Sequence, residues 1–224
     1  IVQTRQKGVH EEISKDIFSF SGVEKLSEKG RNTKNLIMLK KQYRMQSNIC
    51  NLVNSFMYQG NLETAKDQEV ENIIPDFYEN IVIIDTSKVF PFSQKKGTSY
   101  YNLMHAMITR NLINIFNKHS KKELSIGVCS PYTSQARMHS SLNQDTNNVT
   151  AGTVHRFQGD EKDIMILDTV DSLGETQVGY WALSDLPSED GSKLWNVAIS
   201  RSKDHLFFIG NLTHLNSHLP RASF

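Results

Sequence analysis

Five short apolar runs punctuate this chain: "NLIML" (35–39), "IVIID" (81–85), "SIGVC" (125–129), "DIMIL" (163–167) and "LFFIG" (206–210). Each has the length of a strand and is rich in Ile, Val, Leu or Phe, the composition of strands buried on both faces. Between several of them lie helical patterns. In "SNICNLVNSFM", Ile49, Leu52, Val53, Phe56 and Met57 recur at helical spacing, with Ser47 as the N-cap. In "NLMHAMITRNLINIF", Leu103, Met107, Leu112, Ile115 and Phe116 fall near one stripe, and further helices are predicted over 133–143 and 192–200. Strands alternating with helices predict an α/β fold: a mostly parallel sheet, right-handed crossovers and helices on both faces. Ligands of such sheets usually bind at the carboxyl ends of the strands.

Two stretches read as excursions from that core: 61–79, and 171–191, which is too long and too rich in turn residues for a plain connection. Residues 1–30 read as a lead-in from a preceding domain, with a helix over roughly 13–28, and 31–224 as the domain itself. The opening "IVQTRQKG" reads as a cut from something longer. A net charge of +1 marks no bulk nucleic-acid or membrane binder, so any basic surface must be local. No apolar run approaches the ~18 residues of a membrane span. Two cysteines without CxxC spacing predict a reducing, cytoplasmic setting.

The eight histidines are scattered and read as surface or core residues, so no metal site is expected. Cys129 reads as a small buried residue at a strand end, ahead of a reactive thiol. A phosphate-cradling G-x-x-x-x-G-K-[ST] loop is absent from the sequence. Without it Asp85 and Asp168, each closing an apolar run, read as ordinary strand-end residues. The "DEKD" at 160–163 precedes its strand, whereas a metal-holding acidic pair should follow one. The "KK" pairs at 40–41, 95–96 and 121–122 read as solvated surface. There remain two arginines near strand termini, in "QYRM" (42–45) and "NVAISRSK" (196–203). A planar guanidinium makes bidentate, charge-assisted bonds to phosphate oxygens.

In order the sequence shows "LKKQYRMQSNICNLVNSFMYQGNL", "GVCSPYTSQ", "AGTVHRFQGDEKDIMIL" and "LWNVAISRSKDHLFFIGN". This resembles the second, C-terminal RecA-like domain of a superfamily 1 helicase. Within it the match is to the 5′-to-3′ branch that includes the nonsense-mediated-decay RNA helicase and bacterial DNA helicases. The blocks correspond to motif IV, a "PYxxQ" block, motif V and motif VI, over roughly residues 16–212. Motif VI usually has Thr before its Arg and Ala after it, where this chain has Ser200 and Ser202. His155 stands where the branch often has Asp.

The resemblance implies an ATP-dependent helicase motor in which ATP and Mg2+ are held mainly by a first RecA-like domain, this chain supplying half of an inter-domain site and being inactive alone. It implies that Arg44 reaches the γ-phosphate, that Arg201 is an arginine finger and that Tyr43 stacks on adenine. Gly159 and Glu161 would face the nucleotide, and Gln158 would link it to the nucleic-acid groove. For single-stranded nucleic acid, DNA ahead of RNA, it points to Ser130, Tyr132, Thr133 and Thr153, with charge from Arg137 or Arg156. Two cations delivered from the opposing domain can sense the γ-phosphate and couple hydrolysis to closure. The rival readings are a non-catalytic nucleic-acid-binding module with a helicase-like fold, and a free-standing Rossmann-like nucleotide-binding domain. The first would be expected to lose Arg44, Arg201 or Glu161. The second needs a glycine-rich loop where "KKQYRM" stands. Arg44, Glu161 and Arg201 are therefore expected along one edge of the sheet, at strand carboxyl ends.

Overall fold

The computed structural model describes residues 37–65, 73–74, 77–174, 178–183 and 189–219. The lead-in helix expected at 13–28 lies outside them. The centre is a five-stranded sheet built from β3 (Ile81–Asp85), β6 (Ile126–Cys129), β7 (Val149–Gly152), β8 (Lys162–Asp168) and β9 (Ser202–Gly210). Their order across the sheet is β3-β9-β8-β6-β7, and every neighbouring pair is parallel. All five carboxyl ends therefore share one rim and all five amino ends the other. The α/β class and the mostly parallel sheet are as the apolar runs predicted.

Alternation along each strand feeds two cores. Ile164 and Ile166 of β8, Ile126 and Val128 of β6, and Phe207 and Ile209 of β9 turn to one face. There they meet Leu112, Ile113 and Phe116 of α2 (Leu103–His119), with α3 (Thr133–Leu142) packed alongside. Met165, Leu167, Cys129 and Leu206 turn to the other, against Ile49, Cys50 and Val53 of α1 (Ser47–Val53) and Ala198 and Ile199 of α4 (Asp190–Ile199). Burial on both faces is what makes β8 a continuous apolar run. Truncating Ile166, wholly buried, to Ala would cost about 2–5 kcal/mol through lost transfer energy and a cavity.

A pair of two-residue strands, β1 (Lys41–Gln42) and β2 (Glu63–Thr64), and a hairpin of β4 (Ser93–Lys96) and β5 (Ser99–Asn102) flank the sheet. A last helix, α5 (Leu212–His218), follows β9. Among the described residues no helix is long and apolar enough to cross a membrane.

Three local expectations are corrected. The run at 35–39 forms no strand over its described residues, and Ile37 and Leu39 are 77% and 84% exposed. The first strand begins beyond the run, at Lys41, next to Lys40, whose carbonyl accepts the Glu63 amide at 2.7 Å. The fifth strand is instead β7, "VTAG", small and polar at the sheet edge. Ser47 is the first residue of α1; the N-cap is Gln46, which makes no side-chain cap bond. On α2 the buried face holds His105, Ala106, Thr109, Leu112, Ile113 and Phe116, whereas Leu103, Met107 and Ile115 are exposed. The helix is turned so that two polar residues enter the interior, where a buried carboxylate receives His105 and the His105 carbonyl accepts the Thr109 hydroxyl.

Candidate nucleotide and nucleic-acid sites at opposite rims of the sheet

Arg44 follows β1, Glu161 immediately precedes β8 and Arg201 immediately precedes β9. The amide of Gln46 donates to the Lys203 carbonyl at 3.1 Å, which draws the segment after β1 onto the start of β9. Lys162 donates its amide to the Arg201 carbonyl at 2.9 Å, which fixes the two strand starts together. Arg44 Nε then donates to Glu161 Oε2 at 2.9 Å, and its Nη1 to the Ser200 carbonyl at 3.1 Å. Arg201 Nη1 reaches the Asp160 carbonyl at 3.4 Å. Residues 117 and 156 positions from Arg44 along the chain thus converge on its guanidinium.

The cluster sits at the amino ends of β8 and β9, so its expected place at the carboxyl ends is corrected. A crossover explains this. Residues 153–161 leave the carboxyl end of β7 and travel the height of the sheet before β8 begins, so the motif's two ends emerge on opposite rims. Gly159 turns that crossover with φ +84°, in the left-handed region that glycine enters without steric cost.

The rim is dense in charge. Lys203 Nζ lies 3.6 Å from Glu161 Oε1 and 3.3 Å from Asp163 Oδ1, and Lys162 Nζ lies 3.0 Å from Asp160 Oδ2. The Arg44 hydrogen bond, ahead of the Lys203 charge, holds the Glu161 carboxyl below its ordinary range. Burial, then the neighbouring Arg44 charge, pulls the Arg201 guanidinium below its usual value. Its Nε is buried with no hydrogen-bond partner among the described residues. Tyr43 beside Arg44 is 75% exposed, an uncovered ring. Gln158 and Gly159 are exposed as well.

At the opposite rim, Ser130 follows β6 and Thr153 follows β7, and the Ser130 amide donates to the Gly152 carbonyl at 3.1 Å. The four expected strand-contact residues divide here. Thr133, the first residue of α3, is exposed, and Thr153 is partly so. Ser130 is fully buried and its hydroxyl accepts the Tyr132 amide at 3.3 Å, under the first turn of α3. Tyr132 is half-buried. Its hydroxyl donates to Asp171 Oδ1 at 2.6 Å and accepts from Trp181 Nε1 at 3.4 Å, so it ties Asp171 and Trp181 to the rim. Burial, followed by Asp171, pushes its phenol up. Arg137 and Arg156 are exposed.

At this carboxyl rim the sequence concealed a further group. Asp168, the last residue of β8, is wholly buried rather than an ordinary strand end. Its carboxylate accepts four bonds: from His105 Nδ1 at 2.8 Å, His139 Nε2 at 2.8 Å, Gln135 Nε2 at 2.5 Å and the Val170 amide at 3.0 Å. Burial alone would raise this carboxyl; His105 and His139 outweigh it and hold the group below the ordinary range. His105 Nε2 pairs in turn with Thr86 Oγ1 at 2.9 Å. His105 lies 63 positions from Asp168 and His139 lies 29, so no local spacing signals the contact. Asp85, by contrast, is an exposed strand end whose carboxylate accepts the Ser87 and Leu212 amides. Cys129 is buried as expected, and burial with Asp168 nearby pushes its thiol up to about 12. His214 and His218 stand four apart on α5 with stacked rings, a spacing that the view of scattered histidines overlooks. Among the described residues no group of three metal-ligating side chains is assembled.

A family model described as "AAA domain" matches residues 18–213. The DNA replication ATP-dependent helicase/nuclease DNA2 of Bos taurus is 28% identical over 219 residues, covering 85% of this chain and 20% of that protein. The Regulator of nonsense transcripts 1 homolog of Neurospora crassa is 29% identical over 202 residues, covering 81% of this chain and 17% of that protein. The chain thus spans about a fifth of the length of the curated relatives it matches. Among solved structures, the C-terminal domain of a possible DNA helicase from Lactobacillus plantarum superposes with a TM-score of 0.44 at 11% identity, covering 81% of this chain and 96% of that one.

Proposed function

This chain belongs to the AAA domain family of superfamily 1 helicases, and from that premise we propose that it is the C-terminal motor domain of an ATP-dependent helicase. In this reading ATP and Mg2+ are held mainly by a first RecA-like domain of the same longer protein, and the rim of Arg44, Glu161 and Arg201 closes over the nucleotide. The observation that carries the reading is the 2.9 Å Arg44–Glu161 ion pair with Arg201 beside it, since it assembles three distant motifs into one cationic edge. The residues suit a nucleoside triphosphate. Two guanidiniums stand together next to an exposed aromatic ring, one with a buried Nε that has no hydrogen-bond partner among the described residues.

Phosphoryl transfer spreads negative charge over the phosphoryl oxygens, and fixed cations facing that charge lower the barrier. Arg201 supplies such a cation, and the carbonyl of Asp160 fixes its direction. Glu161 holds Arg44 in place without neutralising both arginines. Tyr43 takes the base by stacking. Thr133 and Thr153, with Arg137 and Arg156, meet the sugar-phosphate backbone of a single strand, DNA ahead of RNA, at the other rim. Gln158, on the crossover that joins the rims, links the two events.

The test is a pair of measurements on the longer protein: steady-state ATPase and nucleotide-free strand binding. An arginine finger contributes on the order of 10³–10⁵ in rate, so Arg201→Ala removes most turnover. Arg201→Lys restores little, because an ammonium cannot reproduce the fork. Strand affinity stays within a few-fold. Intact turnover with collapsed strand binding would move Arg201 to the nucleic-acid groove. The chain taken alone is expected to hydrolyse ATP at background rate, and strand-stimulated turnover by it would refute the half-site.

A further inference from the structure

The β4–β5 hairpin stands at the carboxyl rim and the proposed motor chemistry makes no use of it. Its two-residue loop is Gly97-Thr98, with Lys96 paired to Ser99 and Lys95 to Tyr100. Gly97 has φ +63°, the left-handed first position that tight hairpins require. The hairpin is fastened to the first turn of α3. The Asn102 amide donates to Gln135 Oε1 at 2.9 Å and the Asn102 carbonyl accepts Gln135 Nε2 at 3.1 Å. Ser99 Oγ accepts the Ser134 amide at 3.0 Å, and the Tyr100 ring meets Tyr132 edge-on at 5.3 Å.

These bonds set the tip beside exposed Thr133, with exposed Arg137 one turn further along α3. From Ser93 to Asn102 the sequence holds two lysines and no acidic residue, in a chain whose net charge is only +1. Both lysines are exposed, and among the described residues neither has an ion-pair partner. Lys95 Nζ lies over the Tyr100 ring at 5.8 Å, which aims it along the Tyr132 side of the hairpin. Solvated lysines on a mobile loop would lose entropy on meeting a ligand. Here the backbone beneath them is already fixed, so less ordering remains to oppose binding.

We propose that the hairpin is a further contact for single-stranded nucleic acid, Lys95 and Lys96 each neutralising a backbone phosphate beside those met by Thr133 and Thr153. The proposal rests on the reading that this rim meets a strand. It goes beyond that reading in adding a segment outside the helicase motifs, one that the sequence alone gave as plain surface.

The experiment uses the full-length protein without nucleotide, with labelled oligo-dT and oligo-U read by fluorescence anisotropy across a salt series. Each phosphate contact on a single strand contributes about 0.7 to the slope of log K against log salt. The Lys95→Ala/Lys96→Ala variant should therefore lose about 1.4 of that slope, on both oligonucleotides alike, because the phosphates are shared. Lys95→Arg/Lys96→Arg should keep the slope. Lys95→Gln/Lys96→Gln should repeat the loss, with an unchanged melting temperature. An unchanged slope in a protein that binds the strand overturns the hairpin contact and leaves the motor assignment standing. A loss on one oligonucleotide alone overturns phosphate contact. Absence of strand binding by the wild type overturns both.

Discussion

Arg44 and Arg201 repel each other, yet the fold holds them at one rim. Arg44 is held by the Glu161 carboxylate and the Ser200 carbonyl, Arg201 by the Asp160 carbonyl. In the proposed site Glu161 acts on turnover through Arg44, so the two should not behave independently. Arg44→Ala and Glu161→Ala each lower ATPase in the longer protein, and the double variant should be no slower than Arg44→Ala alone. Additive losses in this cycle, read as ratios of kcat/KM, would give Glu161 a separate role at the nucleotide. Glu161→Gln keeps an acceptor for Arg44 but not the charge, and should fall between wild type and Glu161→Ala. At this scale the motif words singled out Arg44, Glu161 and Arg201, and the fold brings the three to one rim. The sequence was silent about Ser130, whose burial depends on the first turn of α3 closing over it.

At the scale of elements, β8 owes its carboxyl end to Asp168. Four donors from α2, α3 and the following loop saturate that carboxylate. Asp168→Asn would turn an amide N–H₂ toward groups that are themselves donors. The loss should be about 3–5 kcal/mol, as for breaking a buried pair on one side, and urea unfolding at neutral pH measures it. The pH dependence follows from the sign of the shift. A carboxyl whose folded pKa is depressed contributes stability above its unfolded pKa, about 3.9. That contribution is lost as pH falls from there through the lower folded value. Wild type should therefore lose unfolding free energy below about pH 4, and Asp168→Asn should show a shallower decline over the same interval. Four of the five central strands were legible as apolar runs: β6, β8 and β9 because both of their faces are largely buried, and β3, an edge strand with Ile83 exposed, because it is Ile- and Val-rich. β7 was not, because small and polar residues at a sheet edge have no period to read. The face of α2 was misread for a related reason. His105 and Thr109 enter the core only because Asp168 lies there to receive the first of them.

On the scale of the whole molecule, the five-stranded parallel sheet separates two rims, with Glu161 before the first residue of β8 and Asp168 at the last. The strand between them has neighbours on both sides, so its amides are paired across the ladder and its core faces are filled. Such a strand does not bend locally; it opens to solvent only when the sheet itself comes apart. In deuterated buffer, amides of 164–167 should exchange through global opening alone, with protection near the full stability of the domain. The hairpin at 93–102, with a single partner strand of its own, should exchange sooner and through smaller openings. If a strand of nucleic acid settles on Lys95 and Lys96, labelling of the hairpin should slow while that of β8 stays at its ceiling. The clock of the centre is set by the fold and that of the hairpin by its ligand, so one labelling experiment keeps the two apart.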